Sequence, residues 1–298
     1  MDILVTGASG AIGGSLTERL VRDGEHPVVA SRDPRKLRRR FPDLRAVRID
    51  VRDHESLAPA LAGIDVAYYL VHSMEPGTQA FAQADRDAAR AFGAAAKRAG
   101  IDRVIYLGGL GPPGAALSEH LESRQETGRE LAAAGPSVLE FRAAMVIGRQ
   151  SASYRMMTDL VRRLPAMVLP RWVRTPSQPI AIDDVLDYLA AGRSVDLPDH
   201  HTVVDIGGAD VLAYRDMLKS VADRDGKHRV MVEVPFLSPR LSSIWCGVTT
   251  SVSTAVARPL VEGMTVPLVV TGDAAVTMFP DIRPMGFEDA LRRAEAGA

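Results

Sequence analysis

Short apolar runs alternate with longer helical patterns through the first 150 residues, and this alternation restricts the fold more than any other feature. Ile3-Leu4-Val5, Pro27 to Ala30, Ala46 to Ile49, Val66 to Val71, Arg103 to Leu107 and Ser137 to Phe141 read as strands. Helical patterns run from Ala11 to Arg22, from Phe81 to Ala99 and from Leu121 to Ala134. In the first, Ile12, Leu16 and Leu20 recur every fourth residue on one face. Strand, helix and strand in repetition require crossovers, hence a parallel sheet covered on both faces. Right-handed crossovers then predict an α/β, doubly wound Rossmann fold over residues 1–150. Beyond residue 150 the pattern loosens. Loops carry Pro165, Pro170, Pro176 and Pro179. Helices are predicted from Asp184 to Ala191 and from Leu212 to Ala222, with a strand from Val230 to Val234. Residues 151–298 are expected to complete the sheet and cover a substrate cleft, not to form a separate domain.

The first strand-to-helix turn reads Thr6-Gly7-Ala8-Ser9-Gly10-Ala11-Ile12-Gly13. Gly7 suits a tight turn, Gly10 lets backbone approach a pyrophosphate, and Gly13 lets helix pack on strand. The helix start behind them offers unpaired N–H groups and a positive dipole end to phosphate. The turn predicts dinucleotide binding, with Thr6, Gly7, Ser9, Gly10, Ala11, Ile12 and Gly13 as contacts. The second strand ends Ala30-Ser31-Arg32-Asp33-Pro34. NAD sites usually place an acidic residue there for the ribose 2′-OH. Arg32 holds that position instead, with Ser31 beside it, and a guanidinium forks onto a 2′-phosphate. The expected cofactor is therefore NADP(H). Asp33 is one place too late and is read as the cap of a helix starting at Pro34.

These residues resemble the short-chain dehydrogenase/reductase superfamily, and within it the atypical, NmrA-like NAD(P)-binding branch. By that resemblance Asp50-Val51 contacts adenine, and Leu70-Val71-His72 and Leu107-Gly108-Gly109 line the cofactor. Phe141, in the segment Phe141-Arg142-Ala143-Ala144, joins the cofactor contacts. Pro170 to Thr175 and Pro179 to Val185 also resemble segments of the branch. The superfamily's usual catalytic set is a Ser after the fifth strand and a Tyr four residues before a Lys. No tyrosine here is followed four residues later by Lys. His120 and Arg124 stand at the pair's positions, and Gly108 or Gly109 at that of the Ser. Four residues apart on a helix, His120 and Arg124 share a face. Arg124 can hold nucleotide, or pair with Glu122 or Glu126. His120 can serve as acid or base, or mark a solvated helix start. His72 either faces the nicotinamide or is a loop histidine bonded to backbone.

Other features exclude function classes. A net charge of −1 shows no excess favouring nucleic acid. A single cysteine, Cys246, excludes an internal disulfide and a cysteine-based zinc site, and is read as buried and inert. His200-His201 is placed in a loop and makes a poor metal site. No basic segment leads into a long apolar run at the start, and no apolar run reaches about 20 residues. These readings give the expectation of a cytoplasmic protein. The stretch from Leu241 to Ala257 carries no charge. Leu241, Trp245, Val248, Val252, Val256 and Leu260 follow helical spacing, as a cover over the sheet edge, a pocket wall or a peripheral membrane contact. Trp172, Met156, Met157 and Met167 are read as core or as lining for an apolar substrate. The resulting expectation is an NADP(H)-dependent oxidoreductase acting on a carbonyl, enone or quinone. Its rival is a sensor or scaffold that binds NADP(H) without turnover.

Overall fold

The computed structural model describes residues 1–71, 79–112, 117–234, 246, 247 and 249–296. Its first half alternates as expected: β1 (Ile3–Thr6), α1 (Ala11–Arg22), β2 (Val28–Ser31), α2 (Pro34–Arg40), β3 (Ala46–Arg48), α3 (Leu57–Leu61), β4 (Val66–Tyr69), α4 (Gln79–Ala99), β5 (Arg103–Gly109), α5 (Glu119–Ala134) and β6 (Ser137–Ala143). The second half holds β7 (Val146–Ile147), α6 (Ala152–Arg163), β8 (Ala166–Pro170), β9 (Pro176–Ser177), β10 (Ile180–Ala181), α7 (Ile182–Ala191), β11 (His201–Ile206), β12 (Leu212–Ala213), α8 (Tyr214–Arg224), β13 (Val230–Val234), α9 (Thr254–Gly263), α10 (Ala274–Met278) and α11 (Phe287–Ala296).

Seven parallel strands form the central sheet in the order β11-β6-β5-β4-β1-β2-β3. The order reverses between β1 and β4, so a crevice opens there at the strands' C-terminal ends. Both faces of the sheet are buried. In β1, Ile3 and Val5 pack into one layer and Leu4 into the other, the two-residue alternation of a strand covered on both sides. In α1, Leu16 and Leu20 are buried and Ile12 is partly so. Asp33 caps α2: its Oδ1 accepts from the Arg35 N–H at 3.1 Å, with Pro34 in the first turn.

The second half completes the sheet through β11, which pairs in parallel with β6 along its whole length. It also builds its own core, in which Met145, Met156, Met157, Met167, Met217 and Val261 are buried and Trp172 packs at the edge. Trp172 and these methionines 156, 157 and 167 are thus core and do not line the cleft described below.

Four expectations need correction. His201 is not in a loop; it opens β11, and its Nε2 lies 2.8 Å from Glu140 Oε2. The helix placed from Asp184 starts at Ile182, ahead of Asp183 and Asp184. They lie in its first turn, and buried Asp184 accepts from the Met285 N–H at 2.9 Å. The helix placed at Leu212 starts at Tyr214, because Leu212-Ala213 pair antiparallel with Pro176-Ser177. The uncharged stretch is not one continuous helix. Its positions 241–245 and 248, Trp245 and Val248 among them, lie outside the described residues. After Cys246 and Gly247 the chain turns at Thr250, whose Oγ1 donates to the Cys246 carbonyl at 2.8 Å, before α9 begins at Thr254. Such side-chain bonds to backbone compete with helix continuation. Among the described residues no helix is long and apolar enough to cross a membrane.

Candidate active site

β1 ends at Thr6, whose fully buried Oγ1 donates to the Tyr68 carbonyl at 2.8 Å and accepts from the Leu70 N–H at 3.0 Å. Thr6 therefore ties the ends of β1 and β4 and fixes the turn that follows. Gly7 takes φ +66°, and a Cβ there would stand 2.6 Å from the Leu70 carbonyl oxygen. Gly13 packs its α-carbon against that turn: an added Cβ would lie 2.4 Å from Gly7 O. Gly10 differs. Its backbone is extended (φ −84°, ψ 175°), and the one neighbour of an added Cβ within 4 Å is Gly7 O at 3.2 Å. It is the N-cap of α1, makes no side-chain cap bond, and the first turn holds no acidic residue. The first N–H groups of a helix have no intrahelical acceptor. The turn is thus a cradle with space beside Gly10 and a helix N-terminus facing it, which fits a pyrophosphate.

A cavity of about 390 Å³ opens over this turn. Its floor includes Gly7, Gly10, Ala11, Ile12 and Gly13, then Leu70 and Val71 after β4, and Leu107, Gly108 and Gly109 at the end of β5. His120 and Arg124 line it from α5. The opposite wall comes from the second half: Met145, Val146, Tyr214, Leu260, Met264 and Leu268. These are apolar apart from Tyr214, and Gln150, Ser151 and Ser153 add polar groups on the same side. Pro259 and Gly263 of α9 also line it, just past the uncharged stretch, none of whose described residues lines the cavity.

The remaining candidates lie elsewhere. Ser9 is exposed on the turn. Ser31 is buried at the end of β2 and its Oγ donates to the Asp33 carbonyl at 3.0 Å, while Arg32 beside it is exposed. Asp50 forms a tight turn, accepting from the Arg52 N–H at 3.1 Å, and Val51 packs on the inner layer. Phe141 does not reach the cavity. Its ring lies in the layer that also holds Leu107 but is fully buried against other aromatics, with centroids 5.9 Å from Tyr188 and 5.5 Å from Phe279. That placement corrects the expectation of a cofactor contact by its side chain. His72 lies outside the described residues.

Arg124 does not pair with Glu122 or Glu126. Its guanidinium donates to the Leu107 carbonyl and lies 5.7 Å from the Tyr106 ring centroid, and Glu126 is engaged by Arg86 at 2.6 Å. The cation is thereby held at the end of β5. His120 is held neutral at pH 7: burial, with Arg124 adding like charge, pushes its pKa down to about 4. The tyrosines next to the crevice are structural. Tyr68 donates to the Leu189 carbonyl at 2.9 Å and Tyr106 to that of Arg124 at 3.0 Å, and burial pushes Tyr106 up to about 12. The missing Ser also has a packing reason. A Cβ on Gly108 would lie 2.9 Å from Glu140 Oε1, and one on Gly109 2.8 Å from Leu121 Cδ2. Glu140, fully buried on β6, takes the space below this loop and is held by Arg142 at 2.7 Å. Cys246 is buried, with its thiol pushed up to about 11, which keeps it protonated and inert. Among the described residues no group of acidic, His and Cys side chains could hold a metal.

Sequence reasoning missed Met145, Tyr214, Met264 and Leu268. Each is an apolar or aromatic residue at or beyond the end of the regular alternation, and no local motif marks it.

A glycine cradle at the switch point of a parallel sheet defines a Rossmann-type NAD(P)-binding protein. Residues 7–135 match the family model described as NAD(P)H-binding, so this part of the chain is an NAD(P)H-binding domain. The chain is similar to a ceramide reductase of Caulobacter vibrioides, 28% identical over 167 residues. The match covers 55% of this chain and spans about half, 52%, of that relative. Three solved structures share the whole fold. One is a nucleoside-diphosphate-sugar epimerase of Staphylococcus aureus (TM-score 0.77, 16% identity, 98% of this chain and 100% of that one). Another is the Citrobacter sp. triphenylmethane reductase complexed with NADP(H) (0.72, 15%, 99% and 100%). The third is the Bordetella bronchiseptica enzyme WbmH in complex with NAD+ (0.72, 15%, 99% and 97%).

Proposed function

We propose that this protein is an NADP(H)-dependent reductase of an apolar carbonyl, enone or quinone compound. One observation carries the reading: a single cavity joins the phosphate cradle to a largely apolar wall across the end of β5. When bound, NADPH supplies a hydride. The chain's own residues do the rest. Gly10 and the first turn of α1 hold the pyrophosphate, and Arg32 at the end of β2 takes the 2′-phosphate. Arg124, held on the Leu107 carbonyl, orients the nucleotide. Met145, Leu260, Met264 and Leu268 exclude water from the reacting carbon. His120 is neutral, so it donates a ring N–H to the substrate oxygen without giving up the proton, much as a neutral imidazole polarises a carbonyl elsewhere. The oxygen then takes its proton from solvent. An apolar, lipid-like substrate suits these walls, and the similar Caulobacter protein is named a ceramide reductase.

The test is NADPH oxidation against a panel of quinones, enones and long-chain ketones, alongside equilibrium binding of NADPH and NADH. Turnover with at least one apolar acceptor and tighter NADPH binding are expected. Tight NADPH binding with no turnover across the panel would replace this reading with a non-catalytic NADP(H) sensor, which the absence of the Tyr, Lys and Ser favours.

A further inference from the structure

β8 and β13 form a two-stranded parallel ribbon, and among the described residues neither pairs with any other strand. The register sets Val230 beside Ala166 and Val232 beside Val168. These four side chains share one face. The opposite face supplies Met167 and Leu169 to the core. On the outer face Val168, Val230 and Val232 remain 50%, 61% and 51% exposed. Other large apolar side chains with comparable exposure, Met1, Val21, Val211 and Val276, lie on separate elements. An apolar cluster of this kind marks a contact surface.

The ribbon's ends are basic. Arg162 and Arg163 lead into β8, and Arg171 and Arg174 follow it; Lys227 and Arg229 lead into β13. Arg162 and Lys227 share Asp225, at 2.9 and 3.9 Å, and Arg174 and Arg215 share Glu233, both at 2.6 Å. Arg163 lies 3.7 Å from Asp159, Arg229 donates to the Val161 carbonyl, and Arg171 is exposed. Glu233 stands beside Leu169 and so on the ribbon's other face, which leaves five cations against two carboxylates, a local charge of +3 on a chain of net −1.

We propose that this ribbon face is a peripheral docking surface for an anionic phospholipid bilayer. Clustered Lys and Arg are drawn to an anionic lipid surface, and small apolar side chains between them enter the headgroup boundary. Three valines give shallow, reversible and salt-sensitive contact. A second copy is a poorer occupant, because a two-fold contact would set one +3 surface against another. The inference does not depend on the redox reading, since vesicle binding is measured without turnover.

The experiment is co-sedimentation of the full chain with vesicles of phosphatidylcholine alone or with about 30% phosphatidylglycerol. Anionic vesicles should pellet at least about fivefold more protein than neutral ones, and about 0.5 M NaCl should abolish the difference. The double variant Val168→Asp/Val232→Asp, and separately Arg171→Glu, should each cut binding at least about threefold with NADPH affinity and urea unfolding unchanged. Absent or composition-independent binding, or wild-type pelleting by the double variant, would overturn the proposal. So would sedimentation velocity showing that the double variant turns a dimer into a monomer, which would give this face to a second copy.

Discussion

Gly10 and Gly13 are three residues apart in one turn, yet the structure assigns them different duties, and two substitutions separate these. At Gly13 an added Cβ meets Gly7 O at 2.4 Å, Gly7 C at 2.7 Å and Ala8 Cα at 3.1 Å, all of them backbone. No rotamer relieves that crowding. Helix α1 must lift from β1, and overpacking of this kind costs about 1–3 kcal/mol or more. Gly13→Ala should therefore lose about 3 kcal/mol of stability by urea unfolding. At Gly10 the extended backbone suits a β-branched residue, and beyond Gly7 O at 3.2 Å nothing lies within 4 Å of the new Cβ. Loss of a good N-cap residue costs Gly10→Val only about 0.5–1 kcal/mol. The valine methyls, however, fill the space read as the pyrophosphate's. Losing two charge-assisted backbone bonds at about 1.5–3 kcal/mol each weakens binding by at least about 10²-fold. The assays are calorimetric titration with NADPH and NADH, and urea unfolding followed by circular dichroism. Near-normal cofactor affinity in Gly10→Val would place the phosphates elsewhere. A Gly13→Ala protein as stable as wild type would refute the packing role.

Arg32→Ala should weaken NADPH binding by about 1.5–3 kcal/mol and leave NADH nearly unchanged; equal losses by calorimetry would remove the NADP(H) assignment. Arg124→Ala should raise the NADPH dissociation constant about tenfold, worth about 1.4 kcal/mol, and normal affinity would end its proposed role. For His120 the unfolded chain takes up a proton near pH 6.5 and the native protein near 4, so between these values the unfolded state holds more protons. Stability should thus fall by about 2–3 kcal/mol as pH drops from 6.5 to 4, and His120→Gln should flatten that part of the urea profile; an unchanged slope would contradict a buried neutral imidazole. Asp184 has the opposite sign. Burial pushes its pKa up to about 6, so the native state holds the extra proton and loses stability as pH rises from about 4 to 6. Asp184→Asn keeps an acceptor for the Met285 N–H and should gain about 1–3 kcal/mol at pH 7.5 but little at pH 4. A destabilised variant at pH 7.5 would show that the charge is needed.

What the sequence made legible follows from how local each signal is. The β1–α1 turn was readable because three glycines at fixed spacing meet needs set by adjacent backbone, as at Gly7 and Gly13. Asp33 was readable as a cap for the same reason. β11 went unseen although Thr202, Val204 and Ile206 recur with a period of two, since the strand opens on His201 after a polar loop that separates it from the helix ending at Ala191. Phe141 was misplaced because a strand's period gives which residues share a face but not which of them another element covers, and Tyr188 and Phe279 cover this one. The cavity wall at Tyr214, Met264 and Leu268 was out of reach, since long-range packing alone brings those residues to α5. The neutrality of His120 is likewise a property of burial, invisible in the helical spacing that found it.

The cavity's two walls belong to different cores. Its floor rests on the sheet layers that hold Val5, Leu107 and Tyr106, whereas Met145, Tyr214 and Met264 belong to the cluster built by the second half. Each core can be repacked with little effect on the other, because well-separated substitutions add nearly independently. Lineages sharing this floor are thereby at liberty to diversify what they act upon by drift in the second cluster alone, with nucleotide use inherited intact. Selection for a new acceptor in the laboratory should accordingly accumulate changes around Met145, Tyr214 and Met264 and spare the glycine turn.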